Sequence, residues 1–118
     1  MQCLLIDQNV PERQRIAMLL NSLGLTCDEQ ESVSEAQVLE SDVVFMDVSC
    51  AEAAQDLMQQ LQHGRGAALT PKIICYADAP QLDDMAAFIL AGATDVLVKP
   101  FDRELLRFKL EQAGVLGH

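Results

Sequence analysis

Residues 42–50 read DVVFMDVSC. Four apolar side chains in succession, Val43, Val44, Phe45 and Met46, stop abruptly at a carboxylate, Asp47. A half-solvated strand would alternate apolar with polar residues, so a continuous run points to a strand covered on both faces. The acid at its tip either caps the helix that follows or belongs to a site at the edge of a sheet. The rest of the chain decides between the two.

Working outward, the same strand-like character recurs at CLLI (3–6), LTCDE (25–29), KIICYA (72–77) and TDVLV (94–98). Amphipathic stretches separate these runs. In 10–24, Ile16, Leu19, Leu20 and Leu23 share one helical face, with Pro11 in the first turn and Gly24 at the stop. Further helices are expected over 34–40, 51–64, 80–92 and 103–114, the last capped by Asp102. Five strands alternating with five helices give a parallel, doubly wound sheet in a three-layer α/β domain, because such crossovers are right-handed. Residues 1–118 read as one domain, without linker or repeat.

Composition narrows the function. The 118 residues carry 18 acidic and 8 basic side chains, a formal net charge of −10. A phosphate backbone needs clustered Lys and Arg, so nucleic-acid binding by this domain is not expected. The longest apolar run, 85–93, is half of the roughly 18–20 residues that a membrane span requires, and no signal-peptide pattern opens the chain. A cytoplasmic location is the expectation. No C-x-x-C pair occurs, and neither His63 nor His118 has metal-like spacing to a cysteine. Cys3 and Cys75 read as small buried hydrophobes, and Cys27 and Cys50 as more exposed thiols without a basic neighbour to activate them.

In a doubly wound sheet, ligands bind beyond the carboxyl ends of the strands, at the point where the strand order reverses. Asp7, Asp47 and Lys99 end the first, third and fifth strands. Any one of them alone reads as a capping residue or an ordinary ion-pair partner. Together they place two carboxylates and an ammonium on one edge. Carboxylates with a backbone carbonyl suit Mg²⁺, an Asp beside that cation is a nucleophile toward phosphorus, and the lysine neutralises charge on a transferring phosphoryl group.

LLID near the start, DVVFMD in the middle and AGATDVLVKPF near the end together resemble the receiver domain of bacterial two-component response regulators. The resemblance covers essentially the whole chain and is most specific at Gly92, Ala93, Lys99, Pro100 and Phe101. It implies a flavodoxin-like fold with five parallel strands in the order 2-1-3-4-5. It further implies Asp47 as phosphoacceptor, Lys99 as the phosphoryl-contacting lysine, and a Mg²⁺ site from Asp7, Asp47 and the backbone carbonyl of Ser49. A cis Lys99–Pro100 bond is part of the same pattern.

The departures are as informative. The family has two adjacent acids after the first strand, whereas here the pair is Asp7–Gln8. An amide offers oxygen without charge, and a Mg²⁺ affinity about ten- to a hundredfold lower is expected. Where the family has Ser or Thr at the end of the fourth strand, this chain has Tyr76, which either covers the site or, the preferred reading, points outward as a polar-tipped surface aromatic. The family's switch aromatic falls at Val96, so the coupling between switch positions 76 and 96 lacks both ends.

The functional expectation is an atypical stand-alone receiver in two-component or phosphorelay signalling. It would take a phosphoryl group on Asp47, inefficiently, from a sensor histidine kinase or phosphotransfer protein and act on a downstream protein by contact. The alternative is a pseudo-receiver, a binding module that is never phosphorylated. Enzymatic turnover is not expected, because aspartyl-phosphate hydrolases want a general-acid Asp two residues on, and that position is Ser49.

Overall fold

The computed structural model describes residues 2–32, 38, 40–47, 71–78, 86, 89, 90 and 92–116. Among them, five strands form one sheet: β1 (Cys3–Ile6), β2 (Cys27–Gln30), β3 (Val43–Asp47), β4 (Lys72–Asp78) and β5 (Asp95–Lys99). The order is β2-β1-β3-β4-β5, with every neighbouring pair parallel. This is the flavodoxin-like arrangement, and the strands lie close to their expected spans. The helices expected over 34–40, 51–64 and 80–92 fall wholly or largely outside the described residues, as do Ser49, Cys50 and both histidines.

Alternation along the strands divides the core in two. Cys3, Leu5, Val43, Phe45, Ile74, Tyr76 and Leu97 point to one face, where α1 (Val10–Ser22) and α2 (Arg103–Gln112) cover them with Ile16, Leu20, Leu106 and Leu110. Leu4, Ile6, Val44, Met46, Ile73 and Cys75 point to the other, joined by Val38 and Ala93. Strands buried on both faces explain why the sequence shows continuous apolar runs rather than alternation.

Both described helices are set by their ends. Asn9 and Asp102 are the N-caps: Asn9 Oδ1 accepts from the Glu12 amide at 3.0 Å, and Asp102 Oδ1 from the Leu105 amide at 2.8 Å. At the other end, Gly24 (φ +91°) and Gly114 (φ +77°) turn the chain out of each helix. The Leu25 amide then donates to Leu20 O and the Val115 amide to Leu110 O, both at 2.9 Å. This six-residue closure buries the residue after the glycine against the last turn. Leu25 is therefore spent on the helix exit, which is why β2 begins at Cys27 rather than at 25.

One expectation about the cysteines is corrected. Cys3 is not a free thiol: it forms a disulfide with Cys27, 24 residues away, with Cα atoms 4.4 Å apart. The β1–β2 register sets Cys3 directly opposite Cys27, on the same face of the sheet. Cys75 is free and fully buried, and burial pushes its thiol pKa up, so it stays protonated.

Candidate functional site

The carboxyl edge gathers the residues that the strand ends promised. Asp7, Asp47 and Lys99 each stand two positions beyond a residue of the α1–α2 face, namely Leu5, Phe45 and Leu97. All three therefore leave the sheet toward that face. The register levels the two carboxylates with Tyr76: Ile6 pairs with Met46, and Asp47 with Tyr76, so Asp7, Asp47 and Tyr76 stand in one row across β1, β3 and β4. Lys99, paired with Asp78, stands two residues beyond that row and reaches back to it.

Lys99 joins the two halves of this rim. Its Nζ donates to Asp47 Oδ2 at 3.2 Å, and both side chains are about 15 % exposed (15 % and 14 %). It also lies 3.8 Å from Glu12 Oε1 and 5.1 Å from the centroid of the Tyr76 ring. The Lys99–Pro100 peptide bond is cis, as the resemblance implies.

Asp7 is the only buried charged side chain among the described residues, at 1 % exposure. A carboxylate so placed must have its oxygens satisfied by donors. Oδ1 accepts from the Asn9 amide at 2.9 Å, and Oδ2 accepts from the Tyr76 hydroxyl at 2.9 Å. The Asp7 carbonyl in turn accepts from Arg13 Nη1 at 2.8 Å, and Arg13 Nε is paired with Glu29 at 3.2 Å. The end of β1 is thus tied to α1 and β2 as well as to β4.

The outward placement expected of Tyr76 is overturned. The side chain is fully buried, its hydroxyl on Asp7 and its ring edge-on to Phe101 at 6.1 Å. The physical reason is parity. Tyr76 shares a face with Ile74, so its ring enters the α1–α2 core and only its polar tip reaches the rim. Val96 lies on the opposite face, partly buried against the cluster that contains Cys75. Positions 76 and 96 are thus separated by the sheet.

Two residues of the rim were not anticipated. Glu12, in the first turn of α1, is hydrogen-bonded by Arg15 Nη2 at 2.7 Å, and the Arg15 guanidinium lies 5.7 Å from the centroid of the Phe101 ring. The Arg15 hydrogen bonds hold the Glu12 carboxyl below its ordinary pKa against the opposing effect of partial burial, and the charges of Arg15 and Lys99 add to this. The bond to Glu12 likewise raises Arg15. Asp47, Lys99, Glu12 and Arg15 form a line of alternating charge. The sequence signal was available, since Glu12 stands three residues after the Asn9 cap and so must overhang the edge from which α1 departs.

The described residues of the rim do not by themselves offer Mg²⁺ a ready set of ligands, and Ser49, whose carbonyl the resemblance assigns to the ion, lies outside them. Among the described residues no three His, Cys, Asp or Glu side chains are grouped to hold a metal ion. Both oxygens of Asp7 already accept from protein donors, Asp47 is paired with Lys99, and Gln8 is exposed and uncharged. No helix among the described residues is long and apolar enough to cross a membrane.

Neither a protein-family model nor a curated protein sequence matches the chain. Solved structures do. A response-regulator receiver domain from Bermanella marisrubri aligns with TM-score 0.79 at 19 % identity, over 96 % of this chain and 97 % of that one. The receiver domain of a Pseudomonas aeruginosa sensor histidine kinase, solved with a magnesium ion coordinated in the active-site cleft, aligns with TM-score 0.71 at 22 % identity over 96 % and 97 %. The receiver domain of a Saccharomyces cerevisiae response regulator, crystallised with a histidine phosphotransfer protein, aligns with TM-score 0.75 at 17 % identity over 97 % and 88 %. At such identities the likeness speaks to architecture, and in these three cases it spans most of both chains. The chain has the receiver-domain fold of two-component response regulators.

Proposed function

We propose that this chain is a receiver-type signalling module of the cytoplasm in which Asp47 accepts a phosphoryl group. The observation that carries the reading is the pairing of Asp47 with Lys99 at 3.2 Å, at the carboxyl edge of a sheet in the order β2-β1-β3-β4-β5. A carboxylate oxygen of Asp47 attacks phosphorus, the bond from phosphorus to the donor's imidazole nitrogen breaks, and the phosphoryl group becomes an acyl phosphate on Asp47. Lys99 lies where it can neutralise charge on the transferring group. The donor is a phosphohistidine on a sensor kinase or phosphotransfer protein, by analogy with the yeast receiver crystallised with its phosphotransfer protein. The state passes on by contact with a downstream protein. Transfer is slow, because Asp7 is engaged by Tyr76 and position 8 contributes no charge.

A second reading, a pseudo-receiver that works as a binding module without phosphorylation, is favoured by one observation, the buried hydrogen bond from Tyr76 to Asp7. Incubation with a small phosphodonor followed by intact-mass measurement separates the two. A gain of one phosphoryl group that disappears in Asp47→Ala supports phosphotransfer. An unchanged mass at millimolar Mg²⁺ supports the pseudo-receiver.

A further inference from the structure

Tyr76 sits directly opposite Asp47 in the β3–β4 register, yet its hydroxyl bonds to Asp7, at the end of β1 on the far side of β3. Adjacent strands are about 4.8 Å apart, so the β1 and β4 backbones are separated by roughly 10 Å at this level. A Ser or Thr at position 76 would stop well short. Only a side chain of phenol length spans the row.

We propose that the Tyr76 phenol and the Lys99 ammonium together stand in for a cation at this rim, and that a hydrated Mg²⁺ is excluded while Tyr76 is docked. The inference rests on reading the rim as a receiver-type site. The hydroxyl supplies the donor that the Asp7 carboxylate needs, and the ammonium supplies positive charge to Asp47. Mg²⁺ demands near-octahedral oxygen ligands at about 2.0–2.1 Å and retains several waters. To reach Asp7 it must displace the phenol from a carboxylate that is 1 % exposed. The ring cannot swing aside cheaply, because it packs against Phe101 at a steep interplanar angle and the residue is fully buried. An ion approaching Asp47 meets the Lys99 charge at the same point. Glu12 balances that ammonium from the α1 side and is itself neutralised by Arg15.

The proposal makes Tyr76 a specificity-determining residue for the cation, a role that its expected outward placement would have denied it. Removing the hydroxyl frees one Asp7 oxygen, and removing the ring makes room for the ion's water shell. Giving up a hydrogen bond to a carboxylate corresponds to about ten- to a hundredfold in an equilibrium constant.

The test is titration of the unphosphorylated chain with MgCl₂, followed by calorimetry and by amide shifts of residues 7–9 and 47. The wild type is expected to show neither heat nor saturable shifts at millimolar Mg²⁺. Tyr76→Ser is expected to gain affinity of about tenfold or more, with Tyr76→Phe gaining less. Saturable binding by the wild type with the Tyr76 ring resonances unmoved overturns the proposal. A folded Tyr76→Ser, or a folded Tyr76→Phe should the serine variant not fold, that binds no better than wild type overturns it equally. Labelling of Asp47 is scored separately. A wild type that is labelled and binds Mg²⁺ keeps the receiver reading and refutes this one. A wild type that is never labelled, beside a Tyr76→Ser that gains Mg²⁺, does the reverse.

Discussion

Replacing Tyr76 by Phe removes one oxygen and leaves the ring, so it isolates the hydrogen bond at the centre of the rim. The bond is 2.9 Å long and ends on a carboxylate that is almost completely shielded from water. Hydrogen bonds to charged groups contribute about 1.5–3 kcal/mol, and no solvent can enter to replace this one without opening the core. The ring keeps its edge contact with Phe101, so no cavity cost is added. A loss of about 2 kcal/mol is expected, which for a urea slope of roughly 1.5 kcal/mol/M lowers the midpoint by about 1.3 M. The assay is urea unfolding of wild type, Tyr76→Phe, Asp7→Ala and the double variant. Because the two side chains share the bond, the double variant should cost less than the sum of the singles by about 1 kcal/mol or more. A Tyr76→Phe within about 0.5 kcal/mol of wild type, with strict additivity in the cycle, would mean that the phenol is solvated and that the rim is wrongly described.

The two helix-ending glycines allow a matched comparison. An added Cβ at Gly24 meets nothing within 4 Å, so Gly24→Ala should cost only the left-handed backbone penalty of about 1–2 kcal/mol. At Gly114 the same Cβ would stand 2.7 Å from Lys72 Nζ, which donates to the Ala113 carbonyl, so Gly114→Ala should cost about 1 kcal/mol more. In a Lys72→Met background that excess should vanish, and equal costs in the wild-type background would refute the contact. The Cys3–Cys27 disulfide closes a loop with a sequence separation of 24. Reductant should lower unfolding stability by roughly 3 kcal/mol, and Cys27→Ser should be indifferent to it. Identical wild-type curves with and without reductant would show that the sulfurs are not joined.

The legible and illegible parts of the molecule differ in physical kind. Strand positions came from continuous apolar runs, which burial on both faces imposes, and the parallel topology followed from the alternation of strand and helix. The meeting of Asp7, Asp47 and Lys99 needed only that their strands point the same way. What failed were matters of register and side-chain length. Nothing in local sequence says that Cys3 faces Cys27, because that depends on how β2 slides against β1. The direction of Tyr76 was open for a related reason. When both faces of a strand are buried, period-two patterning no longer separates inside from outside, and the phenol's polar tip invited a solvent reading. Counting parity from Ile74 would have placed the ring with Phe45 and Leu97. Glu12 is harder to see, because a single acid in the first turn of an amphipathic helix looks like any solvated residue until the start of that helix is placed at the rim. The metal expectation, carried over from the resemblance, met a carboxylate whose oxygens already have protein partners.

The burial of Tyr76 has an optical consequence. The chain contains one tyrosine and no tryptophan, and its four phenylalanines absorb weakly. Absorption near 280 nm and intrinsic emission of the whole protein therefore originate almost entirely from a single chromophore, whose oxygen touches Asp7 and whose ring lies beneath Lys99. Chemistry at the rim is written directly into the spectrum, and no label has to be introduced to read it.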